Sequence, residues 1–150
     1  MDALFKKMNF KNSPVVVVLN APQSFDIHME GMSGLTTFVK DLSLIATTDF
    51  VLAFCTKQSE VDAIALETSK KLDGDGLLWF AYPKGTSKRY QCDFNRDTGW
   101  AILGELGFEP VRAVAIDEDW SALRFRRVEH IKKMTRSFAM TELGKDKIKK

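Results

Sequence analysis

Two histidines and two cysteines in 150 residues leave little from which to build a metal centre. His28 and His130 are far apart in the chain, and neither Cys55 nor Cys92 has a partner at metal-ligand spacing, so no metal site is expected. Two cysteines also fall short of a disulfide framework and read as reduced thiols. Cys55 closes the apolar run FVLAFC, which points to a buried, inert thiol, whereas Cys92 in RYQCDFN should be more exposed. Ser121 has no histidine near it in sequence, which argues against a Ser–His–Asp triad. Long apolar runs are missing too: nothing approaches the ~20 residues of a membrane span. The opening MDALFKKMNF has no apolar stretch of signal-peptide length, so the expectation is a cytoplasmic protein with no membrane partner. Glycine is absent where a phosphate loop needs it, because YPKGTSK lacks the first glycine of GxxxxGK[ST]. The sequence therefore names no resident cofactor.

What is present is an ordinary globular composition. A hydrophobic content of 45% is enough for a chain of this length to bury one full core. The expected organisation is a single domain over residues 1–140 followed by a basic, mobile tail over 141–150. From Arg124 to Lys150 there are ten Lys or Arg against three Asp or Glu, although the whole chain nets only +2, so a mildly acidic body carries a basic end. That end reads as a solvated helix and tail. It argues against nucleic acid as a partner, since GKDKIKK has no aromatic that could stack on a base.

Three runs are apolar on both faces: Val15 to Leu19, Phe50 to Cys55, and Leu77 to Tyr82. That pattern marks central strands of a parallel sheet covered by helices on both sides. Helices are expected between them. One follows Pro22, with Phe25, Met29 and Met32 at helical spacing. A second is capped by Ser59, with Asp62 completing a capping box. Residues 35–42 fit either a helical stripe or a short strand, and β-branched Thr36, Thr37 and Val39 favour the strand. Gly74-Asp75-Gly76 should turn the chain back into the sheet, and Asp97 to Leu106 should form a helix. Val111 to Ile116 and Ala122 to Val128 are separated by five residues and should pair antiparallel, with a further helix over Glu129 to Met140. The fold class is α/β: a three-layer Rossmann-like sandwich around a mostly parallel sheet of five to six strands, with an antiparallel closing hairpin strand.

The segments VVVLNAP, GLLWFAYPK and AIDEDWSALRF resemble a bacterial family of small proteins of unknown function. Its marks are N-A-P after a strand, G-L-L-W-x-x-x-P-K, and D-x-x-W-S. The order of elements from DFVLAFC onward is also similar to the second half of class I methyltransferases, whose last strand inserts antiparallel. That resemblance implies a truncated methyltransferase-like architecture and puts Asp41 near where an acidic residue would bind a ribose. The turn after the first strand departs from it: Asn20-Ala21-Pro22-Gln23-Ser24 contains no glycine, and Pro22 removes a backbone donor.

In a parallel sheet the strand ends gather at one edge, so Asn20, Lys84, Asp117, Asp119, Trp120 and Ser121 are the candidate ligand-binding residues. Lys84 has two readings: an ammonium held for a phosphate or carboxylate, or one half of an ion pair with Asp117 that pins the hairpin. Trp120 could stack on a ligand ring or close the end of the core. The resulting expectation is a non-catalytic binding module that takes a small anionic ligand or a partner protein at the carboxyl edge, with self-association open. The alternatives are an enzyme on a nucleotide-like or phosphorylated substrate, and a nucleic-acid-associated protein using its basic end.

Overall fold

The computed structural model describes residues 1–94 and 98–131. Six strands form one sheet in the order β2-β1-β3-β4-β6-β5. They are β1 (Val15–Leu19), β2 (Thr37–Val39), β3 (Thr48–Phe54), β4 (Leu72–Pro83), β5 (Phe108–Ala115) and β6 (Trp120–Arg127). β1 runs parallel to β2 and β3, and β3 parallel to β4. β6 inserts antiparallel between β4 and β5. This is the α/β, three-layer Rossmann-like sandwich with one antiparallel closing strand.

Alternation along the doubly apolar strands builds two cores. Val17, Leu19, Val51, Ala53, Leu78 and Phe80 point to one side, where Val61 and Ala65 of α3 (Gln58–Lys71) and Leu103 of α4 (Ala101–Glu105) cover them. Val16, Val18, Phe50, Leu52 and Trp79 point to the other, under α1 (Ala3–Lys7) and the chain around α2 (Asp26–Glu30).

Helix α1 is not anticipated by the sequence pattern, because five residues are too few for a period to show. Asp2 caps it, accepting from the amides of Leu4 and Phe5 at 3.0 and 3.1 Å. Phe5 is fully buried against the rings of Phe10, Phe25, Phe38 and Phe50. The Trp79 indole donates to the Met8 carbonyl at 3.1 Å, tying this segment to β4.

Several expected boundaries move. Residues 37–39 are strand, as the β-branched content favours. The helix after Pro22 shrinks to a 3₁₀ turn, Gln23–Phe25, and α2; the buried anchors are Phe25 and Met32 on either side of α2. Helix α3 starts one residue before Ser59, with Lys57 at the cap. Its box is made by Glu60, whose carboxylate accepts from the amides of Thr56 and Lys57 at 3.0 and 3.1 Å. Gly74-Asp75-Gly76 does not form a free turn: β4 begins at Leu72, directly after α3, and Gly74 (φ +51°) lies within an irregular, register-shifted stretch of that strand. Helix α4 covers only part of the expected 97–106 span. Val128–His130 is a 3₁₀ turn, and the rest of the helix expected over 129–140, together with the basic tail at 141–150, lies outside the described residues.

The outer strands are short or interrupted. β2 has three residues, and β5 carries Pro110 with a register shift between Pro110 and Arg112. Among the described residues no helix is long and apolar enough to cross a membrane.

Candidate functional site

All the parallel strands end at the same edge, and β6 begins there. The order β2-β1-β3 means that the chain leaves β1 to one side and returns on the other, so the connections diverge between β1 and β3. Open α/β sheets form their crevice at such a point. Here it is bounded by Asn20 to Pro22 after β1 and by Cys55 to Lys57 after β3. Asn20 has φ +59°, a left-handed backbone that β-branched residues avoid and asparagine tolerates. The geometry that glycine would supply in this turn is thus supplied by Asn20, with its side chain exposed. At the end of β2, Asp41 is exposed, and one carboxylate oxygen accepts from the Ser43 amide at 2.9 Å. The bonds from the Ser43 backbone and hydroxyl hold its carboxyl below the usual carboxylate range. Cys55 is fully buried, and burial, with lesser effects from Glu60 and Cys92, pushes its thiol up, which removes it as a nucleophile.

The other five candidate residues gather around β4, β6 and β5, and most are engaged in holding the edge together. Asp117 accepts from the amides of Asp119 and Trp120 at 2.8 Å each, capping the hairpin tip. The Asp119 carbonyl accepts from the Lys84 amide at 2.8 Å, and its carboxylate accepts from the Ser87 hydroxyl at 2.8 Å. The P-K and D-x-x-W-S segments therefore form a clasp between the hairpin tip and the loop after β4. The Lys84–Asp117 ion pair does not form; Asp117 turns to its own loop instead, and the Lys84 ammonium has no hydrogen-bond or ion-pair partner among the described residues. Trp120 is 2% exposed, with Phe54 and Tyr90 at ring-centroid distances of 5.1 and 4.8 Å, so it serves the core. Ser121 pairs with Tyr82 and Ala115 across the sheet and points to the opposite side from Trp120.

Asn20 stands apart from this cluster. Three strand spacings separate β1 from β6, roughly 14 Å. The edge therefore has two parts: the crevice around Asn20 and Asp41, and the clasp around Lys84, Asp117 and Asp119. The contribution of Thr56, Lys57 and Glu60 to the crevice rim is missed by the sequence reading; the signal was the Glu three residues after Lys57.

No protein-family profile matches the chain, and no curated protein matches its sequence. The resemblance to a bacterial family of unknown function is thus without a family match. Solved structures do match the fold. A SAM-dependent methyltransferase from Aquifex aeolicus superposes with a TM-score of 0.55 at 13% identity, covering 82% of this chain and 87% of that one. Magnesium protoporphyrin IX methyltransferase from Synechocystis PCC 6803, solved with bound SAH, gives 0.52 at 14% identity over 83% and 78%. A fibrillarin pre-rRNA processing protein from Methanococcus jannaschii gives 0.51 at 11% identity over 78% and 67%. These likenesses correct the expectation of a non-catalytic binding module. That expectation rested on the glycine-free turn, and here the turn closes through Asn20 on a sheet whose similar solved structures include SAM-dependent methyltransferases. The architecture of this chain is the Rossmann-like fold of class I methyltransferases.

Proposed function

We propose that the chain is a methyl-transfer enzyme that takes S-adenosylmethionine over the carboxyl ends of β1, β2 and β3. The observation that carries this reading is the left-handed Asn20 at the strand-order reversal, with the exposed Asp41 carboxylate one strand away. When bound, this cofactor supplies a methyl group on a sulfonium sulfur, ready for displacement by a nucleophilic acceptor.

The chain's own residues have separate tasks in this reading. Asn20 turns the backbone sharply out of β1, so that the 20–22 segment can lie against a ligand. Asp41, held ionised by Ser43, accepts from paired ribose hydroxyls as a charge-assisted acceptor. The buried end of β3 at Phe54 and Cys55 gives the crevice an apolar floor. Lys84, whose ammonium has no partner among the described residues, would hold an acceptor that carries a carboxylate or phosphate, and the clasp keeps its backbone in place.

Calorimetric titration with S-adenosylhomocysteine tests the reading. Asp41→Asn keeps an oxygen for the Ser43 amide and removes the charge, so the unliganded protein should stay folded and melt only slightly lower. Its affinity should fall roughly tenfold, the difference between a charged and a neutral hydrogen bond. Absence of any heat or melting shift at millimolar S-adenosylhomocysteine and S-adenosylmethionine refutes the proposal.

A further inference from the structure

The opposite edge of the sheet, where the parallel strands begin, holds a cavity of about 480 Å³. That is the size of a small-molecule site. Its wall includes Lys11, Asp49, Asp73, Asp75, Leu77 and Arg124. Arg124 lies four residues along β6 from Trp120, about 13 Å from the carboxyl edge, so this cavity is separate from the crevice above.

Arg124 is the anomaly. It sits directly opposite Arg112 on β5, on the same strand face as Arg126, and like charges so placed repel. Burial first, then Arg126, pushes its pKa down; Asp75 works against this and Arg112 adds to it. Its Nε is sealed from solvent with no hydrogen-bond partner, and no ion pair reaches its guanidinium among the described residues. Asp75 makes no hydrogen bond or ion pair with it; its two oxygens accept from Arg126, at 2.8 and 2.6 Å, and reach Arg124 only as a nearby charge. A half-buried guanidinium in this state calls for an anion.

The cavity is not simply cationic. Asp49 and Asp73 are exposed at its wall, each directly after the paired first residues of β3 and β4, Thr48 and Leu72, and neither makes a hydrogen bond or ion pair among the described residues. A bare anion would answer Arg124 and Lys11 but meet two uncompensated carboxylates. A bare amine would do the reverse. A bound cation is not the answer either, since no cluster of three ligating side chains exists among the described residues. We infer that the amino edge is a second ligand site, for a small zwitterion whose carboxylate or phosphate meets Arg124 and whose amino group meets Asp49 and Asp73.

The test is a titration of the full chain, followed on the Arg Nε–Hε resonances in nitrogen-15 NMR. The probes are O-phosphoethanolamine, inorganic phosphate and ethanolamine. O-phosphoethanolamine should move the Arg124 signal and bind about tenfold more tightly than either fragment. Arg124→Gln should weaken that binding about tenfold or more, and Arg124→Lys, which keeps the charge but loses Nε, should weaken it less. Asp49→Asn with Asp73→Asn should reduce O-phosphoethanolamine to the affinity of phosphate. Vesicles of phosphatidylethanolamine in phosphatidylcholine present the same head chemistry on a bilayer. Pelleting with them assigns the site to a lipid headgroup, and binding of the free compound alone assigns it to a soluble ligand. An unmoved Arg124 signal, equal affinity for phosphate and O-phosphoethanolamine, or unchanged binding in Arg124→Gln overturns the inference. Arg124→Gln should leave S-adenosylhomocysteine binding unaltered, so failure here and failure at the carboxyl edge are told apart.

Discussion

Replacing Asp117 by alanine should loosen the hairpin tip and the clasp built on it. Its carboxylate accepts two backbone amides at 2.8 Å in a half-buried hairpin tip. Alanine leaves both donors without their acceptor, a situation close to deleting a helix cap, which costs roughly 0.5–2 kcal/mol. Partial burial puts the expectation near the upper end, about 1.5 kcal/mol. For a domain of this size that lowers the melting temperature by roughly 3–6 °C. The effect should spread along the clasp, because the Lys84 amide donates to the carbonyl of Asp119. Hydrogen exchange at Lys84 should therefore quicken along with exchange at Asp119 and Trp120. Asp117→Asn keeps an acceptor oxygen and should lose less than half as much stability. The measurement is urea or thermal unfolding of both variants beside the parent protein. If alanine changes nothing, or if asparagine is as damaging as alanine, the hairpin tip is not held by this side chain acting as a neutral-capable acceptor, and the clasp reading fails.

Three further outcomes follow from the geometry. Asn20→Gly should be close to neutral, whereas Asn20→Val should cost about 1–2 kcal/mol in thermal unfolding, because a β-branched residue resists φ +59°. Burial alone would raise the Asp75 carboxyl, but the Arg126 hydrogen bond and charge outweigh it and hold the group below its usual range. The folded pKa is depressed, so this contribution is present above the ordinary aspartate value of ~3.9 and is lost as the pH falls through the lower, folded value. The pair is about one-third exposed, so the stability gap to Asp75→Asn should be about 1 kcal/mol or less at neutral pH and should close in acid melts. Native protein should expose no reactive Cys55 thiol to an aromatic disulfide reagent at mildly alkaline pH, and Cys92, also raised by burial, should react slowly; unfolding in urea should release both.

The sheet is legible in the sequence because burial on both faces leaves no alternation: Val15 to Leu19, Phe50 to Cys55 and Leu77 to Tyr82 are short, β-rich apolar runs of the kind central strands use. The closing hairpin is legible from two β-rich runs with a polar tip. Helix α1 is not, since it is held by Phe5 packing against Phe10 and against three rings distant in sequence, Phe25, Phe38 and Phe50, rather than by local periodicity. The start of α3 is misread because Ser59 is the better cap by type, while the Glu60 carboxylate folds back onto Thr56 and Lys57. At the carboxyl edge, strand direction alone brings Lys84, Asp117, Asp119, Trp120 and Ser121 together. What they do there is not written in their order: Asp117 faces its own loop, and Trp120 is enclosed by rings from β3 and the loop after β4. The amino-edge cavity is invisible in sequence, because only the register of β5 and β6 sets Arg112 and Arg124 face to face.

The two rims of the sheet bear on how copies of this chain can meet. A strand offered to β2 would find only three residues to pair with. One offered to β5 would meet a proline without a donor, a kink beside it, and the charge of Arg112. Both are poor templates for ladder growth, which guards against runaway cross-β association. Among the described residues, association is accordingly favoured side chain to side chain, through a helical layer, over ladder growth, and a variant that straightens β5, such as Pro110→Val, would remove one of these guards.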